Sequence, residues 1–112
     1  MKIWITAALI FLCAPAFAQS THSVTLNWTA SPDGGTVTVY RAPAACSTNP
    51  TNFAVIKSGV VAAGPYQDAG IAVGAYCYRV TAVVGGAESA PSSNANAPVL
   101  PQSPSNLVVT VN

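Results

Sequence analysis

The chain has 112 residues, of which 51% are apolar and only 6% are charged, and its formal net charge is +1. This length suits one domain. So few charges provide neither a basic surface for nucleic acid nor an acidic surface for cations.

The first 18 residues have the pattern of a secretory signal peptide. Lys2 supplies a short positive region, residues 3–12 form an apolar run, and residues 16–18 (Ala-Phe-Ala) match a cleavage site. The run is too short to span a bilayer, which takes about 20 residues. We therefore expect a signal peptide at 1–18, a mature start at Gln19 and no membrane span. The protein would be secreted, held at the cell surface or located in the periplasm.

The three cysteines divide at the predicted cleavage site. Cys13 would suit a lipoprotein anchor, but Leu12 before it is bulky where such signals carry a small residue. Cys46 and Cys77 remain in the mature chain, and an even number of cysteines in an exported chain implies a disulfide. Two thiols cannot form a zinc site, and no C-x-x-C motif occurs. We expect a structural disulfide and no metal site.

The body of the chain reads as short strands separated by turns. The first predicted strand has Val24, Leu26 and Trp28 on its buried face and is followed by a turn at 31–35. A second strand at 36–41, with Val37 and Val39 inward, leads through a loop at 42–50 to strands at 53–56 and, after entry at 64–68, a short fourth strand. The next strand has Tyr76, Tyr78, Val80 and Ala82 on one face and ends in a tight turn at Gly85-Gly86. No segment has helical periodicity. Turn signals recur about every eight to twelve residues, as in β-sandwiches.

The stretch from Tyr76 to Ser93 resembles the last hairpin of a fibronectin type III domain. Trp28 resembles the buried tryptophan of that family's B strand, and Tyr76 its corner tyrosine, whose hydroxyl would bond a backbone group just upstream. The resemblance covers Val24 to Leu100. It implies an all-β fold, a fibronectin type III-like antiparallel β-sandwich over residues 19–100.

The resemblance also places several side chains. The loop after strand C and the start of strand F lie at one pole of such a sandwich, so Cys46 would lie beside Cys77. Cys77 is out of phase with the strand's buried tyrosines and should face outward, towards the loop. Trp28 should be buried between the sheets, against Val39, Tyr78 and Val80. Tyr40 is the only tyrosine whose phase on a strand indicates exposure.

Candidate catalytic residues are few. His22 is the only histidine and lies near the mature start, where we expect it to be frayed or exposed. Asp33, Asp68 and Glu88 occupy turn or surface positions, and nothing brings two of them together as an acid–base pair. No G-x-S-x-G or phosphate-binding loop occurs. Residues 27–29 match a glycosylation sequon, but the core role of Trp28 argues against its use. We expect no enzyme activity and no cofactor.

The C-terminal residues resemble a displaced first strand. Only residues 19–22 precede the B-like strand, which leaves no room for the family's strand A. Residues 101–112 form a proline-rich link followed by an A-like strand with Leu107, Val109 and Val111 on its buried face. Three interpretations are open: the strand folds back on its own domain, it is donated to a neighbouring copy, or it is a disordered remnant of a longer protein.

Geometry favours donation to a neighbour. The link from Pro98 to Ser105 extends at most about 26–29 Å, barely the length of a sandwich, and its prolines direct it away from the domain. The acceptor edge would carry Val24, Leu26 and Trp28. We expect a secreted, non-enzymatic structural or interaction subunit that binds itself or another extracellular protein and assembles head to tail into a filament. The alternative is a monomeric extracellular module that recognises a protein or a carbohydrate, for which exposed aromatic side chains would be the sign.

Overall fold

The computed structural model describes residues 21–111, and within them the chain folds into strands and one turn of 3-10 helix at Cys46–Thr48. The predicted signal peptide at 1–18 lies outside the described residues. The strands are β1 (His22–Leu26), β2 (Thr36–Ala42), β3 (Ala54–Val61), β4 (Tyr66–Ile71), β5 (Gly74–Val84), β6 (Ala87–Glu88) and β7 (Ala95–Val99).

The strands form two antiparallel sheets. In the first sheet, β1 pairs with β4. In the second, the order is β3-β2-β5, with β6 and β7 both pairing with β5. The predicted antiparallel β-sandwich is therefore confirmed.

Most predicted strands are confirmed, with changes at their ends. β2 extends one residue beyond the predicted 36–41, and β3 is longer than the predicted 53–56. The turn between β5 and β6 is formed by Gly85 and Gly86, whose φ angles of 57° and 80° suit a two-residue hairpin turn. The first strand ends at Leu26, so Trp28 lies beyond it.

The core lies between the sheets. Its buried cluster consists of Leu26, Val37, Val39, Val60 and Tyr78, with Tyr76 and Val80 packed against it. Val39 and Tyr78 have exposed fractions of 0% and 1%. The alternation along β2 and β5 therefore identified the correct inward faces.

An ion pair with a buried carboxylate and a partly exposed guanidinium links the two sheets. Asp68 on β4 is buried, and its Oδ2 accepts hydrogen bonds from Arg41 Nη1 on β2 at 2.7 Å and from the Tyr78 hydroxyl on β5 at 2.6 Å. The prediction of a turn or surface position for Asp68 was wrong. A carboxylate can lie inside the sandwich here because a cation and a hydroxyl donor compensate it.

The corner tyrosine is confirmed. Tyr76 donates a hydrogen bond from its hydroxyl to the Ala72 carbonyl, four residues upstream, at 2.9 Å. This bond fixes the connection between β4 and β5. His22, expected to be frayed or exposed, instead pairs with Ile71 at the start of β1 and is half-buried.

Cys46 and Cys77 form a disulfide that joins the 42–50 loop to β5. The Cys46 amide also donates a hydrogen bond to Asn96 Oδ1 at 3.1 Å, so the loop is attached to β7 as well. Cys77 lies beside the loop and faces it, as expected, on the side of β5 opposite to that of Tyr76 and Tyr78. It has an exposed fraction of 0%, because the loop covers this part of β5.

The disulfide should contribute measurably to stability. Replacing both cysteines, Cys46→Ser with Cys77→Ser, removes a link across a sequence separation of 31 residues. The chain-entropy relation gives a loss of about 3–4 kcal/mol, which lowers the Tm by several degrees. Calorimetry of the wild type and the double variant measures the difference. Peptide mapping of exported protein should find the linked pair, and two alkylatable thiols there would contradict the bridge.

Stability should also fall at high pH because of Tyr78. Burial raises the pKa of its hydroxyl above the ordinary value of 10.0, and the hydrogen bond to Asp68 raises it further. The unfolded chain ionises Tyr78 near pH 10 while the folded chain keeps it neutral. The free energy of unfolding should therefore be insensitive to this group below about pH 10 and decrease above it. Urea denaturation of the wild type and Tyr78→Phe should show their difference shrinking above about pH 10. A constant difference would contradict the assignment.

Candidate strand-acceptor groove

The two sheets leave strand edges whose backbone groups are unpaired within residues 21–111. Such edges invite pairing with another chain, and natural proteins block them with proline, lysine, irregular geometry or inward-pointing charges. The edges belong to β1 and β4 in the first sheet and to β3 and the β6–β7 side in the second. They differ in how they are blocked.

Three of these edges carry blocking features. The β6–β7 side contains Pro91 between its strands and Pro98 within β7. β4 contains the inward-pointing Asp68 and, at Gly70, a φ of 71° that an ordinary strand does not adopt. β3 contains Lys57, and its pairing with β2 is irregular on either side of Val39.

The edge of β1 carries none of these residues. Its sequence, His-Ser-Val-Thr-Leu, has no proline, glycine, lysine or carboxylate. Its single irregularity lies at the start of the strand, between His22 and Val24. Among the edges in residues 21–111, β1 is therefore the one best suited to accept another strand.

A groove opens between the sheets beside this edge. One cavity of about 340 Å³ is lined by Leu26, Trp28, Tyr78 and Ala95, among others. A second cavity of about 200 Å³ is lined by Val37, Ala82 and Ala90, among others. The two cavities adjoin, since both are lined by Trp28, Thr29, Val80 and Ser92. We call these two cavities the acceptor groove, the larger the Leu26 cavity and the smaller the Ala90 cavity.

The far wall of the groove is the segment between β6 and β7. Ser89 and Ser92 donate their amides to the carbonyls of Ala82 and Val80, each at 2.8 Å. Their hydroxyls accept hydrogen bonds from the amides of the same two residues, at 2.9 Å and 3.0 Å. Side-chain oxygens thus replace strand carbonyls along β5, and the wall is held in place although it bulges at Ala90-Pro91.

Trp28 is the central side chain of the groove. Its indole Nε1 donates a hydrogen bond to the Ala62 carbonyl at 2.7 Å, and its ring packs against the core cluster and against Gly64. A Cβ on Gly64 would lie 3.0 Å from the ring, so the close approach requires glycine there. Trp28 packs against the core as predicted, but its predicted burial is incomplete. It is half-buried, because no strand within residues 21–111 covers its groove side.

The C-terminal tail, residues 105–111, does not occupy this groove. It forms no strand, and the exposed fractions of Leu107, Val109 and Val111 are 92%, 76% and 89%. The structure therefore does not bring the predicted donor residues together with the predicted acceptor residues Val24, Leu26 and Trp28. Pairing of the two remains a prediction.

A cluster missed by the sequence analysis lies on the outer face of the second sheet. The Arg79 guanidinium lies 4.0 Å from the centre of the Phe53 ring and 5.7 Å from that of Tyr40. The Tyr40 hydroxyl donates a hydrogen bond to Glu88, which raises the pKa of Tyr40. Tyr40, expected to be exposed, is half-buried. The pairing of Tyr40 with Arg79 across β2 and β5 is a long-range contact that no local pattern marks.

Residues 21–111 lack the features of a membrane-spanning helix and of a metal site. No helix there has the length and apolarity needed to cross a membrane. Over the same residues, no group of three or more His, Cys, Asp or Glu side chains is arranged to hold a metal ion.

The fold and the groove define a β-sandwich of the immunoglobulin-like class with an unblocked first-sheet edge. A family profile described as the fibronectin type III domain, SaeA third domain, matches residues 14–99. This match covers most of the chain, and the chain belongs to the fibronectin type III family. Comparison with curated proteins produced no match. Domains of this family are generally non-catalytic and serve as extracellular interaction or structural modules.

Removing the Trp28 ring should destabilise the domain. Trp28→Ala should lower the free energy of unfolding by about 2–4 kcal/mol. This loss is somewhat smaller than the roughly 3–5 kcal/mol typical of a fully buried tryptophan, because one side of the ring is open. The control, Trp28→Phe, keeps an aromatic ring but loses the hydrogen bond to the Ala62 carbonyl. Its free energy of unfolding should fall by about 0.5–1.5 kcal/mol for the lost hydrogen bond, in addition to the effect of the smaller ring. Denaturation followed by circular dichroism measures both. An unchanged stability in Trp28→Ala would show that the ring does not close the core.

Proposed function

We propose that this chain is an exported structural subunit that assembles head to tail, with the C-terminal tail of one copy inserted in the acceptor groove of the next. The observation that carries the proposal is the coexistence of an unblocked β1 edge over a groove and an apolar tail that no other part of residues 21–111 covers. Pairing would satisfy the backbone groups of β1 and bury both apolar surfaces.

The two surfaces match in pattern. Val24, Leu26 and Trp28 alternate with exposed polar residues along β1 and its continuation. The tail alternates Leu107, Val109 and Val111 with Val108 and Thr110 in the same period of two. An added strand would therefore direct one row of apolar side chains between the sheets.

The path of the chain favours insertion in trans. β7 ends at Val99, which pairs with Gly74, and this is the pole where β1 begins. An antiparallel partner of β1 must enter at the opposite pole, beside Trp28. That point lies about 20 Å away along the strand and about 10 Å across the sandwich. The seven residues from Val99 to Ser105 extend at most about 23–25 Å, which is little more than the straight-line distance through the core and too short for a path around the domain.

Insertion into the groove of a neighbouring copy does not require the link to run back along its own domain. A link that continued in the direction of β7 would lead away from the pole at Val99, and a copy stacked on that pole in the same orientation would present its Trp28 end. Each copy has one donor and one acceptor, so the contact does not close and extends into a filament. With three cationic and three anionic side chains in residues 19–112, charge repulsion does not oppose close association.

The alternative function is a monomeric binding module. The cluster of Tyr40, Phe53 and Arg79 on the outer face favours it, because aromatic and arginine side chains are common at recognition surfaces. Both rings are half-buried and already hold Arg79, which leaves little free ring surface for a ligand. We therefore favour assembly over ligand binding as the function. In either case the pattern of residues 1–18 and the disulfide support export to a secreted, cell-surface or periplasmic location.

Assembly should depend on the tail. Deleting residues 105–112 should abolish oligomers and leave a less stable monomer, since the groove stays empty. Light scattering coupled to size exclusion, with negative-stain microscopy, measures assembly. Adding the tail as a separate peptide should restore part of the stability and shift the Trp28 fluorescence to the blue, because the peptide covers its open side.

Paired variants provide the control. Leu107→Asp with Val109→Asp places charge on the inward row and should prevent assembly. Val108→Asp with Thr110→Asp places the same charge on the outward row and should leave assembly intact. A full-length protein that stays monomeric at high concentration would refute donation in trans.

A further inference from the structure

We infer that the acceptor groove admits the tail in a single register, antiparallel to β1, with Leu107 opposite Trp28 and Val109 opposite Leu26. This inference rests on the proposed function and deepens it. In this register the side chain of Leu107 enters the Ala90 cavity and that of Val109 enters the Leu26 cavity. These two residues then determine which strand the groove accepts.

The direction is that of the antiparallel sheet that the tail would extend, and it agrees with the proposed point of entry. A tail that arrives from the stacked copy reaches β1 at its Trp28 end and runs towards His22, opposite to the direction of β1. Antiparallel pairing is also what β1 already makes with β4 on its other edge. The strand would thus extend an antiparallel sheet, the more stable of the two arrangements per residue.

The register follows from the two cavities. Successive inward side chains of a strand are about 6.6–6.8 Å apart, which suits adjoining cavities that share the lining residues Trp28 and Val80. Leu107 beside Trp28 faces the Ala90 cavity, and Val109 beside Leu26 faces the Leu26 cavity. Val111 then lies beside Val24, which lines neither cavity. Two of the three inward residues therefore find a prepared space, and the third does not.

The outward row points away from the core in the same register. Val108 would lie opposite Asn27 and Thr110 opposite Thr25, and both β1 residues are exposed. Their side chains face solvent on the same side of the sheet. Truncation of Val108 therefore removes little buried area.

The competing register is shifted by two residues. It places Leu107 opposite Leu26 and Val109 opposite Val24, and it leaves the Ala90 cavity to Ser105. The lining of the Ala90 cavity is mixed, with serine and threonine residues beside the apolar Val37, Val80 and Ala82. A leucine side chain would bury more apolar surface there than a serine side chain can. The two registers predict different cross-strand neighbours for Val108, Asn27 in the first and Thr25 in the second.

An alanine series in the full-length protein tests which residues determine acceptance. The critical concentration for assembly should rise at least tenfold for Leu107→Ala and for Val109→Ala, less for Val111→Ala, and less than twofold for Val108→Ala. A larger effect at Val111 than at Val109, or at Val108 than at either, would overturn the register. Absence of assembly in the wild type would instead refute the proposed function.

Disulfide cross-linking between introduced cysteines distinguishes the two registers directly. The full-length variant with Asn27→Cys and Val108→Cys should form an intermolecular disulfide ladder on a non-reducing gel, and the variant with Thr25→Cys and Val108→Cys should not. All three positions are exposed in the single chain, so folding and the Cys46–Cys77 bridge should be unaffected. A ladder from the Thr25 pair alone would establish the shifted register. Equal ladders from both pairs would show that the tail has no fixed register, and both results overturn the inference.

Discussion

The small first sheet depends on its attachment to the second. A two-stranded ribbon such as β1–β4 is marginally stable by itself, and here it is held by burial of Leu26 against Val39 and Tyr78. Asp68 adds a polar connection from β4 to Arg41 and Tyr78 on the opposite sheet. Tyr78 takes part in both, since its ring lies in the apolar core and its hydroxyl reaches the ion pair. The position of β1, and with it the groove, therefore follows from contacts centred on β5.

The two sides of the sandwich are closed in different ways. At the β7 pole, the disulfide and the Asn96 hydrogen bond hold the 42–50 loop over β5, and the Tyr76 hydroxyl fixes the corner before it. On the groove side, Ser89 and Ser92 complete the hydrogen bonding of β5 without forming a continuous last strand. Within residues 21–111 the core is open beside Trp28, and a second opening of about 440 Å³, lined by Ile56, Tyr66, Ile71 and Tyr76 among others, lies beside β4. A further strand that filled the side beside Trp28 would bury apolar surface there and add stability.

The strand edges differ in whether they carry features that oppose pairing with another chain. Proline on the β6–β7 side, an inward carboxylate on β4 and lysine on β3 each oppose uncontrolled pairing. The β1 edge has none of these, although β1 is as short as β7. In the proposed assembly, this selective blocking would limit association to the β1 edge. Assembly by a single donor and a single acceptor then produces a linear polymer rather than an irregular aggregate, which is the physical basis of the proposed function.

The sequence by itself determined the local features of this protein. A period of two identified the inward faces of β2 and β5, the glycine pair located the last hairpin, and the count of cysteines predicted the bridge between Cys46 and Cys77. These features depend on neighbouring residues or on composition, and for that reason they can be read without a structure. The tertiary structure decided what covers each face. The burial of Asp68 and Cys77, the half-exposure of Trp28 and the division of the groove into two cavities all depend on residues distant in sequence. Alternation tells which way a side chain points, but only the assembled sheets determine whether another part of the chain lies there to meet it.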